Sequence, residues 1–243
     1  MQDYPLPKII GHRGACGYAP ENTLASFRKA YELGVKWVEF DVVLSKDSVP
    51  IVFHDATTTR TTNLSNRNIA DLTLSEIQQL DAGSWFAAEF YEERIPTLAQ
   101  VLEFLRAHDM QANIELKPTP GLEAQTTRTA LAVIETYYAE SNELPLISSF
   151  ATECLSTMRY AHSTMPLALL RKEWENQDVI LLTSFACKSI NLDCRYLNED
   201  IVKTIKNLGY AIISYTVNDV KEAKKLFTWG VNGIFTNYPD QFL

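Results

Sequence analysis

The chain alternates between short runs rich in β-branched and aromatic residues and longer stretches with apolar residues at helical spacing. Eight runs read as strands: Lys8–Gly11, Trp37–Asp41, Ala112–Lys117, Leu144–Ser149, Pro166–Leu170, Lys188–Asp193, Tyr210–Thr216 and Gly233–Thr236. Between them, Leu24, Phe27, Ala30 and Tyr31 share one face of a helix over Thr23–Leu33, and Leu98, Val101, Leu102 and Leu105 do so over Leu98–Ala107. Leu122–Ala139, Glu153–Ala161, Glu199–Leu208 and Val220–Trp229 read the same way, and Lys172–Phe185 carries a weaker helical pattern. Strands separated by helices imply parallel pairing through right-handed crossovers. At 243 residues the economical solution is one α/β domain, a (β/α)8 TIM barrel spanning residues 1–243. The alternative is an open doubly wound sheet, but no strand is followed by GxGxxG or GxxxxGK[ST].

One stretch breaks the alternation. After Asp41 the chain reads VVLSKDSVPIVFHD, a hairpin turning near Lys46–Asp47–Ser48. Ala56–Arg94 is then polar, rich in threonine and asparagine, with a short helix over Ser75–Leu80. It is too long for an ordinary βα loop and reads as an insertion after the second strand, at the barrel mouth.

Composition narrows the function. Lysine and arginine number 22 against 30 aspartates and glutamates, a net charge of −8, which argues against holding a nucleic-acid backbone. No apolar run is long enough to span a bilayer, so no stable membrane insertion is expected. MQDYPLPKII lacks the basic start and apolar stretch of a secretory signal, and the four cysteines, Cys16, Cys154, Cys187 and Cys194, form no CxxC pair. Reduced thiols and a cytoplasmic location are expected. Oligomeric state has no signature in the sequence.

Side chains two apart on a strand share a face. In Trp37–Asp41, Val38 and Phe40 face the helices, which turns Glu39 and Asp41 inward near the strand's C-terminal end, where barrel active sites are built. Ala112–Lys117 repeats the pattern, with Ile114 and Leu116 outward and Glu115 and Lys117 inward. A single such acid is most simply a solvated charge or an ion pair with Lys117. Two i,i+2 pairs ending neighbouring strands point instead to a hard divalent ion among Glu39, Asp41 and Glu115, which would otherwise repel one another. His12 closes the first strand and His54 closes the hairpin, so two imidazoles reach the same mouth and suit acid and base roles. His108 and His162 fall at helix ends. Arg13 and Lys117 suit a phosphate, and the plainer alternative for Arg13 is an ion pair with Glu21 or Glu39. Asn22 and Thr23 read as candidate caps of the first helix. There is no GxSxG.

HRG at His12–Gly14, PENT at Pro20–Thr23, VEFDV at Val38–Val42, VFHD at Val52–Asp55 and IELK at Ile114–Lys117 together resemble the glycerophosphodiester phosphodiesterases. TLAQVLEFL at Thr97–Leu105, YTVN at Tyr215–Asn218 and FTNYPD at Phe235–Asp240 extend the resemblance, in order, over nearly the whole chain. The resemblance implies a (β/α)8 barrel with a small insert after the second strand. It implies one divalent metal ion, Mg2+, Ca2+ or Mn2+, on Glu39, Asp41 and Glu115, with His12 as base and His54 as acid. Arg13 and Lys117 would hold the phosphate, and Tyr215 would contact substrate. The implied reaction is hydrolysis of small glycerophosphodiesters, such as glycerophosphocholine or glycerophosphoethanolamine, to sn-glycerol 3-phosphate and an alcohol. The attacking group is water or the glycerol 2-hydroxyl. The sequence departs from the family at Ser48, where a turn glycine is common, at Tyr215, where tryptophan is common, and at Asn63–Asn66, where glycine is frequent. Two rival readings are a phospholipase-like enzyme using Trp85, Phe86, Phe90 and Tyr91 on intact lipid, and a non-catalytic barrel that binds phosphorylated ligands. The plainer role for those four aromatics is to pack the insertion onto the barrel.

Overall fold

A computed structural model describes residues 4–139, 141 and 143–243. Positions 1–3, the start of the N-terminal stretch considered for a signal, lie outside the described residues. The chain runs β1 (Ile9–His12), α1 (Leu24–Glu32), β2 (Trp37–Leu44), β3 (Pro50–Val52), α2 (Leu74–Ile77), α3 (Leu98–Ala107) and β4 (Gln111–Leu116). It continues through α4 (Glu123–Tyr138), β5 (Leu146–Ser149), α5 (Thr152–Ala161), β6 (Leu167–Arg171), α6 (Asp178–Ser184), β7 (Ser189–Asp193), α7 (Glu199–Asn207), β8 (Ala211–Tyr215), α8 (Val220–Trp229) and β9 (Gly233–Thr236).

The strands bond in the order β1-β9-β8-β7-β6-β5-β4-β2, and β1 also pairs with β2, which closes the ring. Every pairing in the ring is parallel. Closure makes this a (β/α)8 barrel and excludes the open doubly wound sheet. β3 lies outside the ring, antiparallel to the far end of β2, with Val42 opposite Val52 and Leu44 opposite Pro50. That pairing carries β2 beyond the Asp41 at which the sequence pattern ends it. The helix read over Lys172–Phe185 shrinks to α6, whose first residue, Asp178, is buried and tied to Arg171 (2.9 Å) and to the Glu175 amide (3.0 Å). These bonds hold the preceding segment as a loop.

Alternation on each strand builds two layers. Val38, Phe40, Ile114 and Leu116 face outward into one cluster with Phe27, Leu98, Val101 and Leu102. The Phe27 and Phe40 rings meet edge to face at 5.5 Å. Each fully buried side chain of this kind contributes roughly 1.5–3 kcal/mol, so stability resides between strands and helices rather than at the mouth. Inside the ring, Ile10, Leu146, Ala168, Ile213 and Phe235 form an apolar plug. A polar layer lies one inward position below Glu115: Asn113 donates to Ser148 Oγ (2.8 Å), and Asn191 donates to Asn113 Oδ1 (3.4 Å).

The insertion follows β3 and has its own small core of Val43, Ile51, Phe53, Ile69, Leu72, Ile77 and Leu80. This seam is dominated by aliphatic side chains. Trp85, Phe86 and Phe90 instead meet one another edge to face at 5.7 and 5.6 Å, and Tyr91 is 68% exposed, so the four aromatics do not supply the seam. The short helix α2 begins earlier than Ser75 because Thr73 and Glu76 form a capping box. The hairpin turn keeps its shape without glycine. Ser48 takes a positive φ of 63°, while Ser45 Oγ accepts from the Val49 amide (2.9 Å). Asp47 at the same turn accepts from the Leu74 amide (2.9 Å), pinning α2 to the hairpin.

Candidate active site

Strand register assembles the mouth. His12 lies beside Glu39 across β1 and β2, and Asp41 lies beside Glu115 across β2 and β4. One oxygen from each of Glu39, Asp41 and Glu115 falls within 4.8 Å of the others. Glu39 and Asp41 are buried. Burial, followed by repulsion from Asp41 and Glu115, pushes the Glu39 carboxyl well above its ordinary value. Burial and Asp41 raise Glu115 to about 8. Asp41 is also penalised by burial, but Arg13 and Lys117 outweigh that penalty and hold it below the usual carboxylate range. Three converging carboxylate oxygens are the donor set that hard divalent cations take, and the repulsion among them is what such a cation would relieve.

Two cations are fixed against this cluster. Lys117, just past β4, places Nζ 3.5 Å from Asp41 Oδ1. Arg13 follows β1 in a tight turn. Its φ is 50° and that of Gly14 is 87°; a Cβ on Gly14 would stand 2.4 Å from Ser26 Oγ. Glycine is needed there on both counts. The Arg13 amide donates to Glu39 (3.1 Å), while its guanidinium contacts Glu21 (2.6 Å) and Asp41 (3.4 Å). The expected ion pair with Glu21 is present, and Asp41 takes the place considered for Glu39.

The two mouth histidines have different partners. His12 Nδ1 lies 2.7 Å from the side-chain carbonyl of Asn237. A carbonyl only accepts, so Nδ1 carries the proton and Nε2, 3.9 Å from Glu39, keeps its lone pair. Burial, reinforced by Arg13, lowers His12 to about 4, which keeps the ring neutral. His54 follows β3, and the Phe53 amide donates to the Asp41 carbonyl (3.0 Å), which carries His54 to the mouth. Its Nδ1 lies 2.6 Å from Asp55 Oδ1. Burial lowers His54 as well, against the pull of Asp41 and Asp55. His108 and His162 sit at the C-terminal ends of α3 and α5, as read from the sequence.

His12, Arg13, Glu39, His54, Glu115 and Lys117 line one wall of a cavity of about 440 Å³ whose far wall includes Phe150, Leu170, Asp193, Arg195 and Tyr215. Tyr215, at the end of β8, spends its hydroxyl on the Arg171 carbonyl (2.8 Å) and offers the cavity its ring, 6.2 Å from that of Phe150. Cys16 lies 3.8 Å from His12 Nδ1 with its thiol pushed up to about 12 by burial, and all four cysteines are unpaired.

The structure therefore brings His12, Arg13, Glu39, Asp41, His54, Glu115 and Lys117 together, with Tyr215 across the cavity. It also adds residues that sequence reasoning passed over. Thr23 is the cap of α1, but Asn22 donates to Asp41 Oδ2 (2.9 Å) and belongs to the site. Asn237 and Asp55 hold the two imidazoles, and both stand inside motif strings that were in plain view, FTNYPD and VFHD. Glu21 stands in PENT and was read as an ion-pair partner of Arg13, but Arg60 had no such signal, because its contact with Glu21 spans 39 positions.

The closed ring and the groups at its mouth define the class, a (β/α)8 barrel with an acidic cluster and two histidines at the strand ends. The chain matches the sequence model of the Glycerophosphoryl diester phosphodiesterase family over residues 12–241 and belongs to that family. The glycerophosphodiester phosphodiesterase of Caldanaerobacter subterraneus subsp. tengcongensis is 33% identical over 246 residues, covering 97% of this chain and 96% of that protein. The glycerophosphodiester phosphodiesterase of Bacillus subtilis is 32% identical over 258 residues, covering 96% of this chain and 84% of that one. Among solved structures, an Oleispira antarctica phosphodiesterase in complex with the product sn-glycerol-3-phosphate superposes with a TM-score of 0.94 at 35% identity, covering 97% of this chain and 95% of the other. No helix among the described residues is long and apolar enough to cross a membrane.

Proposed function

We propose that this chain, as one catalytic domain, hydrolyses small water-soluble glycerophosphodiesters such as glycerophosphocholine and glycerophosphoethanolamine, with a divalent ion on Glu39, Asp41 and Glu115 and with His12 and His54 as base and acid. The observation that carries this reading is the different environment of the two imidazoles beside one carboxylate triad. A magnesium, calcium or manganese ion, when bound there, supplies Lewis-acid charge to the phosphoryl oxygens. The rest falls to the chain's own groups. Arg13 and Lys117 add fixed positive charge where negative charge builds in the transition state. His12 is neutral, with its Nε2 lone pair toward the mouth, and accepts the nucleophile's proton. His54 is given the complementary role, donating a proton from Nε2 to the departing alkoxide, and the Asp55 carboxylate at Nδ1 favours its protonated form against the burial that lowers it. The bond from phosphorus to the alcohol oxygen breaks as the bond to the nucleophile forms. The phosphate and glycerol face the triad, whereas the alcohol half faces the wall of Phe150 and Tyr215.

The test compares glycerophosphocholine with its 2-deoxy analogue under saturating magnesium. This reading expects kcat/KM to collapse for the 2-deoxy compound and to vary modestly among choline, ethanolamine and glycerol diesters. Equal rates on both choline compounds would leave a generic phosphodiesterase.

A further inference from the structure

We propose that Arg60, contributed by the insertion, is a positioning residue that locks the acid histidine and the phosphate-binding arginine into one geometry; this rests on the histidine pair proposed above. His54 and Asp55 lie past the end of β3, with side chains 31% and 22% exposed. Packing alone does not hold side chains this open in one rotamer, so their orientation depends on hydrogen bonds. Asp55 Oδ1 accepts from His54 Nδ1 (2.6 Å), and Arg60 grips the same carboxylate side-on, through Nε to Oδ2 (2.7 Å) and Nη2 to Oδ1 (2.9 Å). The outer edge of the same guanidinium donates to both oxygens of Glu21 at 2.7 Å each. Glu21 Oε1 also accepts from Arg13 (2.6 Å). An unbroken chain of charge-assisted bonds thus runs His54–Asp55–Arg60–Glu21–Arg13.

Guanidinium geometry makes this possible. Arg60 presents two edges of a rigid fork to two carboxylates, which a lysine ammonium cannot do. Without it, Asp55 and Glu21 lose the cation between them, Asp55 is free to turn away from His54, and Glu21 is left to Arg13 alone. The loop that carries Arg60 is closed by backbone bonds within the insertion: the Thr58 amide donates to the Arg67 carbonyl and the Ile69 amide to the Ala56 carbonyl, each at 3.0 Å. The insertion therefore completes the mouth. A plain surface ion pair would predict little or no effect on turnover.

The experiment measures kcat and KM for Arg60→Ala and Arg60→Lys, alone and in a His54→Ala background, under saturating magnesium. Substrates are glycerophosphocholine and a 4-nitrophenyl glycerophosphodiester, with folding checked by circular dichroism. For glycerophosphocholine, kcat of Arg60→Ala should fall about 10- to 100-fold, the range seen when a residue that orients a functional ligand is lost, and KM should rise. On the nitrophenyl substrate, which needs little protonation, most of the kcat loss should disappear. In the His54→Ala background the same substitution should cost clearly less kcat than in the wild type, the non-additivity expected of groups acting in series, and what loss remains is the part that reaches turnover through Arg13. Arg60→Lys, which keeps the charge and not the fork, should show the same split if the alanine variant folds poorly. Wild-type kcat in both Arg60 variants, or an equal loss with and without His54, would overturn the assignment. Undiminished turnover in His54→Ala alone would instead refute the histidine pair, and the Arg60 proposal would fall with it.

Discussion

His12 and His54 share a side chain but not a partner, so their loss should look different. Each alanine substitution is expected to cut kcat on a choline diester by roughly 10²- to 10⁴-fold, the usual worth of general acid or base catalysis. A nitrophenyl leaving group should largely rescue His54→Ala and leave His12→Ala impaired. Rescue of both, or of His12→Ala alone, would reverse or remove the assigned roles. Thermal unfolding should stay near wild type, because the apolar layers lie between strands and helices and at the base of the ring. At this scale the inward acids were legible because a strand's two-residue alternation leaves Glu39, Asp41 and Glu115 no outward option once Val38, Phe40 and Ile114 face the helices. Asn22 was not, since an asparagine ahead of a helix looks like a cap whatever its side chain reaches. Arg60 was not either, because its two carboxylates come from different loops.

The strands were legible to within a few residues wherever both faces are buried and the apolar pattern is unbroken. The exceptions are places where a partner sets the boundary. β2 runs on because β3 pairs with it, and α6 starts late because Asp178 is engaged by Arg171 and Glu175. The insertion was visible only as an anomaly, since its small apolar core is drawn from scattered positions joined by polar turns. Asp81 accepts from the Gly83 (2.8 Å), Ser84 (2.8 Å) and Glu92 (3.2 Å) amides and from the Ser84 hydroxyl (2.7 Å). Burial pushes this carboxyl up, but the Ser84, Gly83 and Glu92 bonds outweigh it and hold it down to about 2. Asp81→Ala should therefore lower stability by about 1–3 kcal/mol in urea unfolding at pH 7, the cost of stranding buried donors. The folded carboxyl is more acidic than an unfolded one near 3.9, so its ionic contribution is complete above that value and fades as pH falls toward about 2. The gap between wild type and variant should narrow across that window. A gap that stays constant from neutral pH to below about 2 would show that the charge contributes nothing.

For the molecule as a whole, eight strands with helical crossovers can close into a barrel or open into a doubly wound sheet, and without a nucleotide-binding glycine motif the barrel was the reading that the β1–β2 pairing then closed. Closure turns local alternation into a shared site: acids from β2 and β4, a histidine from β1 and another past β3 meet only because the ring brings the strand ends together. The far wall of the cavity was less legible, because Phe150, Asp193 and Arg195 stand on loops or strand ends with no recurring pattern. The most direct measurement is release of sn-glycerol 3-phosphate from glycerophosphocholine by protein stripped of metal and verified so by elemental analysis. Calorimetry on the same sample counts the ions bound on return of magnesium, calcium or manganese. The account predicts no release without metal, recovery with one ion per chain, and weaker binding as well as slower turnover in Glu39→Gln and Asp41→Asn. Full release by the metal-free protein would contradict it.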